Sequence, residues 1–254
     1  MPAPATVALL VAAAFFAGLV DAIAGGGGLV SLPALLAAGL PPHVALGTNK
    51  GQAVFGATAS AISFWRRGMV DRARAPLGFV AGFAGSCLGA WGVLAVPLRP
   101  LRAIVIVLLL IAATVVLARR NVEPRPRALG RGARAASLVA IALVLGAYDG
   151  FFGPGTGSML VVAFSVVFGD ALTRASGNAK IVNLASNVAA MLLFAHRGVV
   201  IWSVALPMAA ANALGATTGA HLAIRKGDRL VRAVVLLVVA AVIVKLATDL
   251  ARAS

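Results

Sequence analysis

The stretch that decides the fold occurs twice, first as Asp21-Ala-Ile-Ala-Gly25-Gly-Gly-Gly28, followed by Gly47-Thr-Asn-Lys50. The second copy reads Asp149-Gly-Phe-Phe-Gly153-Pro-Gly-Thr-Gly157, followed by Gly177-Asn-Ala-Lys180. Both copies lie within apolar sequence. Glycine runs break helices, and aspartate and lysine are costly in hydrocarbon. Polar, irregular segments at matching points of two halves therefore predict a site at the interface between the halves, as in secondary transporters.

The composition is that of an integral membrane protein. The 254 residues are 61% hydrophobic and 11% charged, and the mean hydropathy is +1.01. A soluble domain has about 45–50% apolar and about 25% charged residues. The net charge of +15 comes from short basic clusters between apolar segments. Cytoplasmic loops of membrane proteins carry such clusters, so the charge indicates topology and not a nucleic-acid partner.

The repeat extends beyond the glycine segments. A shift of 130 residues matches Lys50 with Lys180 and Arg67-Gly68 with Arg197-Gly198. Asp21 aligns with Asp149 when a short gap is allowed in the glycine segment. The Gly85-xxx-Gly89 and Gly215-xxx-Gly219 pairs also match under this shift, and small residues at this spacing permit close helix packing. We predict a first transmembrane repeat over 1–118, a basic cytoplasmic linker over 119–134 and a second transmembrane repeat over 135–254.

The predicted fold class is an all-α integral membrane protein with two related halves. Each half has a glycine-broken helical hairpin and three transmembrane helices. The apolar segments Leu29–Leu40 and Met159–Phe168 are too short to cross a bilayer, which takes about 20 residues. If each broken segment re-enters, an odd number of crossings makes the halves inverted repeats. If each crosses, the repeats are parallel and the basic residues are shared between both sides.

The positive-inside rule favours the inverted arrangement, with the linker in the cytoplasm. In that arrangement one side collects the basic clusters at Arg66–Arg74, in the linker and at Arg225–Arg232. The parallel alternative stays open, because Ala5–Ala24 is long enough to cross by itself.

The glycine runs and the lysines are the first candidates for a binding site. Glycine-broken backbone in a membrane survives only when it is buried in protein or lines a wet cavity. The helix that follows each break directs its free amides at that cavity, a geometry that suits an anion. A ligand-free tight turn is the alternative. Lys50 and Lys180 could supply positive charge, or each could lie near a helix end and extend its ammonium to the membrane surface.

Two acids and several amides complete the candidate site. Asp21 and Asp149 could carry protons, act as static counter-ions for the lysines, or cap the turns. The amides could bind substrate or join helices. The predicted substrate-binding residues are Gly25, Gly26, Gly27, Gly28, Asn49, Lys50, Gln52, Gly153, Gly155, Gly157, Asn178, Lys180, Asn183 and Asn187, with Asp21 and Asp149 as candidates for proton coupling.

The sequence does not support an enzyme, a cofactor or a metal site. Gly153-Pro-Gly155 does not continue as a dinucleotide-binding motif, because position 158 is serine. The histidines lack metalloprotease spacing, and Cys87 is the single cysteine, so the chain can form no internal disulfide. No serine lies in a nucleophile-elbow pattern.

The motifs resemble the sulfite exporter TauE/SafE family of bacterial membrane transporters. In the first half the resemblance lies in Gly25-Gly-Gly-Gly-Leu-Val, Gly-Leu-Pro-Pro-His-Val-Ala-Leu-Gly-Thr-Asn-Lys50 and Arg67-Gly68. In the second half it lies in Gly153-Pro-Gly-Thr-Gly and Gly-Asn-Ala-Lys180-Ile-Val-Asn183-Leu-Ala-Ser-Asn187. Asn178 departs from the family pattern, which more often has threonine there. The resemblance implies transport of small sulfur-containing anions such as sulfite, or of related organic anions.

The motifs predict a secondary transporter that works by alternating access around a central anion site, and the resemblance implies that it exports small sulfur-containing or organic anions such as sulfite or sulfonates. A passive anion channel and a non-transporting membrane scaffold are the alternatives. The expected partners are a small anionic substrate and the lipid bilayer. The sequence does not fix the substrate, the transport direction, the coupling ion or whether the chain forms a homo-oligomer.

Overall fold

The computed structural model describes residues 3–118 and 130–226, and this part of the chain is helical with short connections. Residues 227–254 of the predicted second repeat and most of the predicted linker lie outside the described residues. The described helices are α1 (Pro4–Ala24), α2 (Gly28–Ala37), α3 (Pro42–Arg66), α4 (Ala75–Ala95), α5 (Leu98–Ala118), α6 (Arg131–Phe151), α7 (Thr156–Phe168), α8 (Leu172–His196) and α9 (Trp202–Lys226).

Four of these helices, α1, α4, α6 and α8, are long and apolar enough to cross a membrane. By contrast, α2 has 10 residues and α7 has 13. At 1.5 Å per residue, neither reaches across a hydrocarbon core of about 30 Å. Large apolar side chains such as Leu9, Phe16 and Trp91 face outward, as expected for surfaces in contact with lipid.

Glycines at positive φ lie at both breaks. Gly25 has φ of 76° and terminates α1, and its N–H donates to the Asp21 carbonyl over 2.8 Å. In the second half Gly153 and Gly155 have φ of 100° and 84°, and α7 begins directly after them. A side chain disfavours this backbone region, so each break needs glycine.

The small-residue pairs bring helices of different halves into contact. Gly85 and Gly89 of α4 lie against the backbone of α6 at Leu143 and Ala147. Gly215 and Gly219 of α9 lie equivalently against the backbone of α1 at Phe15 and Leu19. Any side chain at these glycines would overlap the neighbouring helix. The two halves are therefore interlocked.

One helix boundary differs from the sequence prediction. The sequence placed residues 131–134 in the linker, but α6 already begins at Arg131, after Gly130 in extended conformation. The helix that contains Lys180 begins at Leu172. Most polar residues in the first part of this helix are buried in protein and do not face lipid.

Candidate functional site

The two glycine breaks meet at the centre of the described structure. The Ser158 N–H donates to the Gly25 carbonyl over 2.9 Å. The Ser158 hydroxyl also donates to the Ala24 carbonyl over 2.7 Å. A methyl group on Gly157 would lie 2.5 Å from the Gly25 Cα, well inside van der Waals contact. The turns touch because both positions are glycine.

Around the breaks, each lysine pairs with the aspartate of the other half. The Lys50 ammonium lies 2.9 Å from a carboxylate oxygen of Asp149. The Lys180 ammonium lies 2.6 Å from a carboxylate oxygen of Asp21. Lys50 and Lys180 are only 2% and 1% exposed. Neither lysine extends to the membrane surface, so that sequence-based alternative is wrong: each ammonium has an acid partner inside the protein.

The Lys50–Asp149 pair is enclosed by polar side chains of α8. The Lys50 ammonium also donates to the Asn187 amide oxygen over 3.1 Å. The second oxygen of Asp149 accepts from the Asn183 amide over 3.3 Å and from the Ser186 hydroxyl. These contacts satisfy a carboxylate that water reaches only slightly, since the Asp149 side chain is 2% exposed.

The Lys180–Asp21 pair is more open. The Asp21 side chain is 24% exposed, against 1% for Lys180. The other Asp21 oxygen accepts from the backbone N–H of Gly27 over 3.3 Å, which links this acid to the first glycine turn. The structure thus gives Asp21 two of the roles the sequence left open, as a counter-ion and as a partner of the turn.

A polar cavity of about 40 Å³ lies between the two pairs and the two turns. A few water molecules fill such a volume, which is small for a transported anion. Its walls carry carboxylate, ammonium, amide and backbone groups together. The cavity is lined by Asp21, Gly25, Gly27, Gly28, Ser31, Asn49, Lys50, Gln52, Ala53, Asp149, Gly153, Gly157, Asn183, Asn187 and Asn212.

An amide cluster from the first half forms one wall. The Asn49 amide oxygen accepts from the Ser31 hydroxyl over 2.6 Å and from the Gln52 amide over 3.1 Å. Gln52 is 1% exposed, and its Oε1 has no hydrogen-bond partner among the described residues. A buried amide oxygen without a partner costs about 1–3 kcal/mol, which a ligand or water in the cavity could offset.

Comparison with known proteins identifies the family. The family model described as Sulfite exporter TauE/SafE matches residues 10–246. The chain belongs to the TauE/SafE family. It is 36% identical over 246 residues to a probable membrane transporter protein, ORF9, from Sinorhizobium sp, an alignment covering 95% of this chain and 92% of the relative.

Two further relatives agree with this assignment. The probable membrane transporter protein YfcA of Escherichia coli strain K12 is 37% identical, covering 98% of this chain and 92% of its own. A probable membrane transporter protein of Haemophilus influenzae is 37% identical, covering 91% and 90%. No solved structure matches the chain. From the family and these relatives we conclude that this TauE/SafE protein is a membrane transporter.

The structure brings most of the predicted site residues of this TauE/SafE protein together. Gly26 and Gly155 belong to the turns but do not line the cavity. Lys180 does not line it either, but it pairs with Asp21, which does. Ser31, Ser186 and Asn212 were not predicted. Ser31 and Asn212 are isolated polar residues in apolar stretches and show no spacing pattern, whereas Ser186 directly precedes the predicted Asn187. That substrate binds to the gathered residues stays a prediction.

Asn178 lies in a different cluster. Its amide oxygen accepts from the backbone N–H of Asp71 over 2.7 Å, and its amide nitrogen donates to Asp170 over 2.8 Å. Arg74 joins the same cluster, donating to Asp71 over 2.7 Å and to both oxygens of Asp170 over 2.9 Å. Asn178 therefore ties the α3–α4 loop to the second half instead of lining the cavity.

The internal repeat explains why Asn178 contacts a loop of the other half. Thr48 is the counterpart of Asn178 under the 130-residue shift, and its hydroxyl accepts from the backbone N–H of Ile201 over 3.1 Å. Ile201 is in turn the counterpart of Asp71. Each residue thus anchors a loop of the other half. The side chain of asparagine is one bond longer than that of threonine and ends in an amide, so Asn178 can also donate to Asp170.

The charges of the loop cluster stabilise one another outside the membrane-spanning helices. Burial raises the pKa of Asp71, but the hydrogen bonds and the charge of Arg74 outweigh burial and hold that pKa below its usual value. Burial lowers the pKa of Arg74, and Asp170 and Asp71 together reverse this effect, so that Arg74 stays charged. The cluster is an ionic contact between the α3–α4 and α7–α8 loops.

Proposed function

We propose that this protein is a secondary transporter of small sulfur-containing or organic anions such as sulfite or sulfonates, with export as its direction. The observation that supports this function most is the crossed pairing of Lys50 with Asp149 and Lys180 with Asp21 around a polar cavity. Buried lysines and acids are expensive in a membrane protein, and they mark substrate or ion pathways.

The charges around the cavity set a condition on anion binding. Two lysines and two aspartates face one another, so the paired site is neutral. An entering anion competes with a carboxylate for its lysine. The carboxylate released in this way must be hydrated or take up a proton, since an unpaired buried charge is costly. Proton coupling through Asp21 or Asp149 follows from this competition and needs no nucleotide.

Alternating access follows from two halves that move around this site. We infer that the halves are inverted repeats, and helix directions support this. Helices α1 and α9 run parallel, since Phe15 lies at Gly215 and Leu19 lies at Gly219. Helices α4 and α6 also run parallel. The equivalent helices α3 and α8 run in opposite directions, since Lys50 contacts Asn187 while Trp65 and Ile181 line one groove.

This arrangement places the start of α6 and the end of α8 on opposite sides of the bilayer, with the linker in the cytoplasm and the chain in the bacterial inner membrane. Single cysteines at Gly130 and Arg197, in a Cys87→Ser background, test it in whole cells. We expect a membrane-impermeant thiol reagent to label the cysteine at position 197 and to spare the one at 130. Labelling of both or of neither position without lysis would contradict the inverted arrangement.

Flux of sulfite into proteoliposomes tests the transport function. We expect sulfite inside the vesicles to accelerate uptake of labelled sulfite, because a carrier exchanges its substrate. The Lys180→Ala variant should lose this exchange, whereas Lys226→Ala, which removes an exposed lysine outside the site, should retain it. Ohmic currents without exchange would indicate the channel alternative. If the protein shows no flux and no thermal stabilisation by sulfite, thiosulfate or sulfonates, the scaffold alternative is favoured.

A further inference from the structure

We propose that the two ion pairs have different roles: Lys180–Asp21 is the exchangeable pair at which the anion binds, and Lys50–Asp149 is a fixed pair that holds the halves together. This division rests on the proposed function and refines it. The repeat gives the two pairs equivalent positions, so a difference between them must come from the residues around them.

Several hydrogen bonds from the described residues hold both members of the Lys50–Asp149 pair in place. Lys50 donates to both Asp149 and Asn187, and the second carboxylate oxygen of Asp149 accepts from Asn183 and Ser186. Asn187 is itself held, since its amide donates to the Asn183 carbonyl over 2.7 Å. Displacing Asp149 would leave several buried donors without partners, at about 1–3 kcal/mol each.

The Lys180–Asp21 pair lacks this enclosure. Asp21 has about a quarter of its side chain exposed and lines the cavity. Its second described contact is a 3.3 Å hydrogen bond from the Gly27 N–H, near the long end of the range for such bonds. Water in the cavity can therefore hydrate or protonate Asp21 when it leaves Lys180. Asp149 also lines the cavity, but its side chain is only 2% exposed and its second oxygen is already held by Asn183 and Ser186.

The sequence contains the origin of this asymmetry. Under the 130-residue shift, the three enclosing residues of the second half correspond to small residues of the first. Asn183 corresponds to Ala53, Ser186 to Gly56 and Asn187 to Ala57. Alanine and glycine cannot hydrogen-bond a carboxylate through their side chains, so α3 offers Asp21 no counterpart of the bonds that α8 makes to Asp149.

The charge balance of the exchange is simple. An entering anion takes the place of Asp21 at the Lys180 ammonium, and Asp21 takes up one proton that reaches the cavity from the surrounding solution. The site gains one negative and one positive charge and stays neutral. The other charged groups across the same cavity, Lys50 and Asp149, remain paired with each other throughout.

The matched variants Asp21→Asn and Asp149→Asn test this division by sulfite titration calorimetry and proteoliposome flux between about pH 5 and about pH 8. We expect Asp21→Asn to stay folded, to bind sulfite at least about tenfold more tightly at neutral pH and to lose the pH dependence of binding that is left after the protonation of sulfite itself is subtracted, because Lys180 no longer has a competing carboxylate. We expect Asp149→Asn to lower thermal stability and to retain that pH dependence.

The variant Ser186→Ala serves where Asp149→Asn fails to fold, since it loosens Asp149 and keeps its charge. Its sulfite binding should keep the pH dependence of the unmodified protein. Loss of the pH dependence in Ser186→Ala or Asp149→Asn, with retention in Asp21→Asn, would overturn the division while leaving anion transport intact. Absence of sulfite binding and flux in the unmodified protein would instead refute the proposed function, and the division with it.

A gain-of-contact variant tests the same idea from the opposite direction. Ala53→Asn gives Asp21 the amide that Asn183 gives Asp149, and Ala53→Leu adds similar volume without a hydrogen bond. We expect Ala53→Asn to slow sulfite exchange at least about tenfold relative to Ala53→Leu, because it restrains Asp21. Equal rates in the two variants would overturn the proposal that Asp21 must leave Lys180.

Discussion

Lys50 and Asp149 belong to different halves of the chain, and their charged groups are 2.9 Å apart in the interior. Lys180 and Asp21 repeat this relationship in the opposite direction. Neither lysine pairs with the aspartate of its own half, so each half supplies the counter-charge that the other half's buried lysine needs. The interface that this pairing creates also contains the polar cavity.

The first prediction concerns the energy of the enclosed pair. Asp149→Asn leaves Lys50 charged and without its carboxylate, and breaking a buried pair in this way typically costs about 3–5 kcal/mol. We expect a loss of this order in the free energy of unfolding, measured by chemical denaturation in detergent. The double variant Lys50→Met/Asp149→Leu removes both charges and should recover much of the loss. A double variant no more stable than Asp149→Asn would show that the charge is not the cause.

The second prediction concerns the contact between the turns. Gly25→Ala introduces both an unfavourable φ of 76° and a clash with the backbone of Gly157. Gly39→Ala is the matched control, since Gly39 has φ of 85° and open space around it. We expect the melting temperature to fall clearly more in Gly25→Ala than in Gly39→Ala. Equal losses would mean that backbone strain alone matters and that the turns need not touch.

Repetition made the centre of this site predictable. One glycine run or one buried lysine has several explanations, but Gly25–Gly28 with Lys50 and Gly153–Gly157 with Lys180 occur at matching points. The sequence also identified Asp21 and Asp149 as counter-ion candidates. It could not show that each acid serves the other half's lysine, because that pairing depends on how the helices cross in space.

Other features depend on three-dimensional neighbours that have no sequence pattern. Asn178 lies two residues from Lys180 and was predicted to share its site, but its amide points to Asp71 and Asp170. A helix directs successive side chains to different faces, so proximity in sequence is a poor guide to a shared site. Asn212 enters the cavity from a helix that showed only a packing motif in the sequence.

The third prediction concerns pH and the loop cluster. The pKa of Asp71 lies below its usual value in the folded protein, so this acid stabilises the fold above its unfolded pKa and the contribution disappears as pH falls through the folded pKa. We expect the melting temperature to fall as pH drops below about 4. Asp71→Asn should lower the melting temperature at neutral pH and flatten this acid-side decrease. An unchanged decrease in Asp71→Asn would exclude Asp71 as its source.

The fourth prediction separates the two bonds of Asn178. Asn178→Thr retains an acceptor for the Asp71 N–H and loses the donor to Asp170, whereas Asn178→Ala loses both. A net hydrogen bond contributes about 0.5–1.5 kcal/mol, and a buried donor left unpaired costs about 1–3 kcal/mol. We expect Asn178→Thr to be less stable than the unmodified protein and Asn178→Ala to be less stable still, with sulfite affinity unchanged in both variants. A fall in sulfite affinity without a loss of stability would show that Asn178 contributes to sulfite binding.

The fifth prediction concerns Gln52, whose buried amide oxygen has no partner among the described residues. Gln52→Met has nearly the same length and removes this unsatisfied oxygen, although it also removes the bond to Asn49. Because the gain and the loss are similar in size, we expect the melting temperature without ligand to change by no more than a few degrees. The stabilisation that saturating sulfite provides should fall, since a ligand in the cavity loses its amide contact. Ser165→Ala is the control and should keep the full stabilisation by sulfite. Ser165 has the other unpartnered buried side-chain oxygen among the described residues and does not line the cavity.

Equal sulfite-dependent stabilisation in Gln52→Met and in the unmodified protein would show that the Gln52 amide does not contact the anion.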